Sequence, residues 1–155
     1  MRISLNDGRR FAGRWSITPS GRVESLPAPT PEQREYAELL LEHATSDLGA
    51  CRVLMAAEDM RDDVVGFHAQ QAVEKTLKVA LVLADVDFPR SHDLRELVDI
   101  ATDNDVAVPD SIEKARWLTP WAAQLRYEML EPLDRDAAFS TASDAVAWAT
   151  ALLVG

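Results

Sequence analysis

Phe67-His68-Ala69-Gln70-Gln71-Ala72-Val73-Glu74-Lys75-Thr76-Leu77-Lys78 is the stretch from which the fold of this chain is read. Wound at about 100° per residue, it sorts into two sides. Ala69, Ala72, Val73, Thr76 and Leu77 share one side, and the run continues through Ala80, Leu83 and Ala84. His68, Gln71, Lys75 and Lys78 fall within about one quadrant of the other, with Phe67 beside them and Glu74 just past the edge. The spacing predicts a helix over residues 62–85. Asp62 and Asp63 suit its positively polarised start, and Val86-Asp87-Phe88-Pro89-Arg90 breaks it.

The neighbouring segments read the same way. Thr30 caps a helix that begins at Pro31 and runs to about Ala57, with Tyr36, Leu39, Leu40, Ala44, Leu48, Cys51, Leu54 and Met55 at helical period. Gly49 weakens that helix and is a place for a bend. Asp93 with Glu96 has the spacing of a capping box for a short helix over 93–102. A fourth helix starts near Ser111 and carries Ile112, Ala115, Leu118, Trp121, Ala122 and Leu125, and Pro120 should kink or split it. A fifth covers 134–153, with Ala138, Ala142, Ala145, Ala149 and Leu152 along one side. Helix after helix with short connectors implies an all-α domain, an antiparallel up-and-down bundle of four to five helices over residues 31–155.

Residues 1–30 are different. Asn6-Asp7-Gly8 and Pro19-Ser20-Gly21 are turn signals around a loosely alternating segment, and Leu26-Pro27-Ala28-Pro29 is a stiff linker. This reads as a short N-terminal arm, irregular or a β-hairpin. The arm carries five arginines against Asp7 and Glu24, a net of +3, so the rest of the chain accounts for −13 of the overall −10. An acidic body argues against sequence-blind binding of duplex nucleic acid, which depends on neutralising many phosphates. It leaves room for a small basic site, or for a basic protein partner on an interaction scaffold. A single cysteine, Cys51, permits no intrachain disulfide, and no apolar run near the N-terminus has the length of a signal peptide, so the expected location is cytoplasmic.

The polar stripe has three readings. As a site, Lys75 and Lys78 supply charge to a phosphate, Gln71 can donate to and accept from a base, and His68 adds a titratable ring. As a solvated face, it is held by pairs such as Glu74 with Lys78 four residues on. As a contact surface, its long side chains cover a second copy. His92 and Asp93 divide similarly, between an acid–base or anion-holding histidine near a helix start and a turn in which Asp93 only caps. Three histidines this far apart lack metal-ligand spacing, so no metal and no cofactor is expected. Glycine-rich phosphate loops and nucleophile elbows are missing from the sequence.

The stretch Phe67 to Lys75, followed by Ser91-His92-Asp93-Leu94 and by Leu118-Thr119-Pro120-Trp121 through Arg126-Tyr127, resembles the HEPN domain family (higher eukaryotes and prokaryotes nucleotide-binding) from about Ala44 to Leu152. The resemblance implies a helical bundle that commonly forms a homodimer. It also implies a frequent partner, a minimal nucleotidyltransferase, in pairs where one protein is an RNA-cleaving toxin and the other its antidote. The ribonuclease branch places an arginine and a histidine with four to six residues between them in a late helix. Arg126 is the matching arginine, but no histidine follows His92, and Glu128 stands where family members usually have proline. Arg61 and His68 have six residues between them but lie at the start of the second helix.

The expected function is therefore a non-catalytic dimer that binds a nucleotide or RNA and acts with a nucleotidyltransferase. His68, Gln71, Lys75, Lys78, Arg126 and Tyr127 would be its ligand-binding residues. The alternatives are a divergent metal-independent ribonuclease using His68 or His92 with Arg126, and the interaction scaffold.

Overall fold

A computed structural model describes residues 15–17, 23–25, 28–122 and 131–155. The order is β1 (Trp15–Ile17), β2 (Val23–Ser25), α1 (Pro31–Met55), α2 (Asp62–Leu83), α3 (Leu94–Asp103), the single turn α4 (Asp110–Glu113), a 3₁₀ helix (Lys114–Ala122) and α5 (Arg135–Val154). The two strands form a small antiparallel ladder in the arm, with Trp15 opposite Ser25 and Ile17 opposite Val23. The remaining elements among the described residues are helices, five of them α, packed as an antiparallel bundle in which the apolar faces bury one another.

α1 starts where Thr30 and Pro31 place it. The Thr30 hydroxyl accepts the Gln33 N–H at 3.2 Å, and Gln33 Oε1 accepts the Thr30 N–H at 2.8 Å, a reciprocal box that satisfies two otherwise orphaned donors. The helix continues through Gly49, where a side chain would meet open space. At α3 the expected box takes another form. Asp93 accepts from the Arg95 N–H at 2.9 Å and also holds the Arg95 guanidinium, so its carboxylate pairs two residues on rather than closing a box with Glu96.

α2 and α3 end alike. Asp85 and Asp105 adopt left-handed backbone, with φ of 58° and 57°. Each lets the following valine donate back into the helix, Val86 to the Leu81 carbonyl at 3.0 Å and Val106 to the Ala101 carbonyl at 2.8 Å. The fourth predicted helix proves to be two pieces. One α-turn stops at Glu113, and a 3₁₀ helix with Pro120 inside it carries Leu118 and Trp121 into the core. Proline removes a donor that a longer α-ladder would need.

α1 and α2 form an antiparallel hairpin, and α5 completes the centre. At its start, Arg135 ties the α1–α2 turn by bonding Asp62 at 2.7 Å, the Ala57 carbonyl at 3.0 Å and the Met60 carbonyl. At its end, the Leu153 carbonyl accepts from Arg34 at 3.0 Å, so α5 runs against α1. Ala138, Ala142, Ala145 and Ala149 are fully buried, whereas Leu152, expected on the same side, is exposed. α5 is long and apolar enough by composition to cross a membrane; in the bundle its alanine face packs on α1 and α2. α2 is the central element, buried along Val65, Ala69, Val73, Leu77 and Leu81 and, unusually, at Gln70 and Glu74. Those two polar residues mark the site.

Candidate functional site

A buried carboxylate and a buried amide require partners, because leaving either unpaired costs about 1–3 kcal/mol or more. Glu74 and Gln70 find theirs in one another and around them. The Glu74 side chain is only 4 % exposed. One oxygen accepts from Lys78 Nζ at 2.7 Å, the other from Gln70 Nε2 at 3.0 Å and Gln71 Nε2 at 3.2 Å. His92, on the α2–α3 connector, sets Nδ1 3.0 Å from the same carboxylate. Gln70 Nε2 also donates to the His92 carbonyl at 2.9 Å, which fixes the connector against the middle of α2.

The same network reaches α1. Gln71 donates to Gln70 Oε1 at 2.8 Å and accepts from Lys75 Nζ at 2.9 Å. Lys75 also donates to Asp47 Oδ2 at 2.7 Å, and the other oxygen of Asp47 lies 2.8 Å from His68 Nδ1. A continuous path therefore runs from His68 through Asp47, Lys75, Gln71 and Glu74 to His92. The rings of Phe67 and Phe88 border it, the first edge-on to His68 and the second under the Lys78 ammonium.

The electrostatics follow from the pairing. Burial alone would push Glu74 upward. The Lys78 hydrogen bond, the Gln70 amide, the Lys78 charge and the His92 contact outweigh it and hold the carboxyl below its usual range. Two carboxylates, Asp47 and Glu74, face two ammonium groups, Lys75 and Lys78, so this face carries no net charge while both imidazoles are neutral. Both carboxylates can only accept, so each neutral histidine presents an N–H from Nδ1 to its partner and keeps its lone pair on Nε2.

Four sequence-predicted residues, His68, Gln71, Lys75 and Lys78, thus lie in one network with His92. Neither lysine is a bare cation: each is already bound to a carboxylate. Arg126 and Tyr127 fall outside the described residues. Arg61 pairs with Asp63 at the exposed start of α2, away from His68. Sequence reasoning missed Asp47 and Gln70. Glutamine at 70 on an otherwise apolar side was the available signal for the second; Asp47 gave none, because only the α1–α2 register brings it to His68. Cys51 is fully buried, and burial pushes its thiol up to about 11, which keeps it a protonated core residue. Among the described residues no group of three metal-ligating side chains converges.

The family model described as the HEPN domain matches residues 37–152, most of the chain. This chain belongs to the HEPN domain family. The match runs from α1 to near the end of α5 and so encloses every residue of the His68–His92 network. "Putative toxin MJ1304" of Methanocaldococcus jannaschii is 38% identical over 56 residues, which is 36% of this chain and 36% of that protein. The aligned part is thus about a third of the length of either protein. No solved structure matches this chain.

Proposed function

We propose that this HEPN domain binds the sugar–phosphate backbone of a nucleotide or single-stranded RNA on the polar face of α2. In this reading it is a non-catalytic homodimer that works with a nucleotidyltransferase partner in a toxin–antitoxin-like pair. The observation that carries the reading is the convergence of His68, Lys75, Lys78 and His92, from two elements, on one partly exposed face around the buried Glu74 and part-buried Asp47 carboxylates. The buried Glu74 carboxylate holds Lys78 and His92, and the part-buried Asp47 carboxylate holds His68 and Lys75. The name of the archaeal relative supports the toxin context. Phosphate would meet the imidazoles and the ammonium rim, with Arg126 proposed as a further phosphate partner and Gln71 and Tyr127 as partners of base or sugar. Anisotropy of a fluorescent oligoribonucleotide, with unlabelled ATP as competitor, tests this on wild type and on Lys75→Gln/Lys78→Gln. Loss of binding in the variant is expected. Equal binding by the two proteins, or none by either, removes the reading.

A second reading, ribonuclease activity, is favoured by one contact. Asp47 on His68 Nδ1 fixes the tautomer and leaves the lone pair on Nε2, as a proton-accepting imidazole requires. Cleavage of RNA without added metal, lost in His68→Ala, would establish it. Intact RNA after prolonged incubation removes it.

A further inference from the structure

We infer that RNA binding at the α2 face is coupled to uptake of protons by His68 and His92, so that the site is an acid-strengthened anion receptor. The inference rests on the binding reading above and adds the condition under which that binding occurs.

Two independent features lead to it. The first is the charge count. Asp47 cancels one ammonium and Glu74 the other, so with neutral imidazoles these paired groups of α1 and α2 offer a phosphate no net positive charge. The second is stereochemical. Each ring spends its Nδ1 on a carboxylate, at 2.8 Å for His68 and 3.0 Å for His92. A neutral ring held in this way carries a lone pair at Nε2, which repels a phosphate oxygen. Protonation replaces that lone pair with an N–H donor and adds a charge in the same step. Nε2 of each ring thus changes from acceptor to charged donor, and an anionic ligand binds the protonated form selectively.

The surroundings bear on both rings. α1 contributes Asp47 to His68; α2 contributes Glu74 to His92, with Lys75 and Lys78 sharing those carboxylates. Asp93, next to His92, is occupied by Arg95 and Thr119. The His92 side chain is 67 % exposed and that of His68 23 %, so both can reach a ligand and solvent protons. His43, the remaining histidine, is exposed on α1 and has no part in the network.

A short oligoribonucleotide lacking terminal phosphate is the appropriate probe, because its diesters keep one charge throughout the range. Anisotropy titrations at constant ionic strength should give binding at least about tenfold tighter near pH 6 than near pH 8. His68→Gln and His92→Gln should each reduce that ratio, and the double variant should bring it close to one. His43→Gln should leave it unchanged. Calorimetry in buffers of different ionisation enthalpy should show proton uptake on binding by wild type and none by the double variant. Binding with equal affinity at both pH values, or a pH dependence that survives in the double variant, overturns the inference while the binding reading stands. No binding at either pH removes both. Far-ultraviolet circular dichroism confirms that each variant is folded.

Discussion

Gly66 of α2 lies against the indole of Trp121: a Cβ at position 66 would fall 2.6 Å from Cδ2 of that ring. Both residues are buried, and Trp121 belongs to the 3₁₀ helix that stands where a longer α-helix was expected. The contact lets that segment approach the central helix at backbone distance. Glycine inside a helix usually costs about 1 kcal/mol relative to alanine, so Gly66→Ala should stabilise on propensity alone. Here the ring must move, and overpacking of this kind costs about 1–3 kcal/mol. Gly66→Ala is expected to lower the urea midpoint, whereas Gly49→Ala, at a position open to solvent, should raise it.

Arg135 fastens three elements. Its guanidinium bonds Asp62 at 2.7 Å and the carbonyls of Ala57 and Met60 in the α1–α2 turn, and Asp62 also accepts the Leu133 N–H at 3.0 Å. Arg135→Ala leaves these acceptors without their charged donor, and a loss of about 2 kcal/mol in unfolding free energy is expected. Arg135→Lys keeps the charge but not the planar fork, so it should recover less than half. Equal stability of Arg135→Lys and wild type would show that charge alone holds the turn.

The parts of this architecture legible in the sequence are those set by local rules. Thr30 with Pro31, Asp134 with its helix, and the α2 periodicity all depend on residues within a few positions of one another, and each is found where expected. The Glu74–Lys78 pair is equally local. Two features failed that condition. Pro120 announces the break after Ser111, but the close approach of Trp121 to Gly66 is a contact between residues far apart in sequence. Asp47 and His68 sit on different helices, and only the packed register joins them. The counter-charge of Lys78 was therefore legible in the sequence, whereas Asp47, which pairs with Lys75 and His68, emerged only from the fold.

Glu74 makes the fold acid-sensitive. Its folded-state carboxyl is held below the usual range, so it binds fewer protons than in the unfolded chain. Its stabilisation is fully present above the unfolded value, about 4.3, and is lost as pH falls through the depressed folded value. Asp62 and Asp93 are also held low, Asp62 by the Leu133 N–H and Arg135 against its burial, Asp93 chiefly by Arg95, and they contribute in the same direction. Glu74→Gln would turn one amide N–H₂ toward a site already crowded with donors from Lys78, Gln70 and Gln71. A loss of about 3 kcal/mol is expected at neutral pH. Urea titrations across the acid limb should show the gap between wild type and variant closing with falling pH. A constant gap would mean that Glu74 matters by shape and not by charge.

Asp47 offers a way to separate binding from proton transfer. Its carboxylate holds His68 on one oxygen and Lys75 on the other. Asp47→Asn keeps an acceptor for the His68 N–H but removes the counter-charge of Lys75, so the α2 face gains one positive charge. If the face binds RNA, the variant should bind several-fold tighter than wild type near neutral pH. Its affinity should also fall more steeply with salt, by about 0.7 in the logarithmic slope for one added phosphate contact. If the face cleaves RNA instead, losing the oriented and electrostatically supported imidazole should slow cleavage while binding tightens. Anisotropy and product analysis on the same samples read both quantities. Unchanged affinity and unchanged salt slope in Asp47→Asn would show that the Lys75 ammonium does not face the ligand.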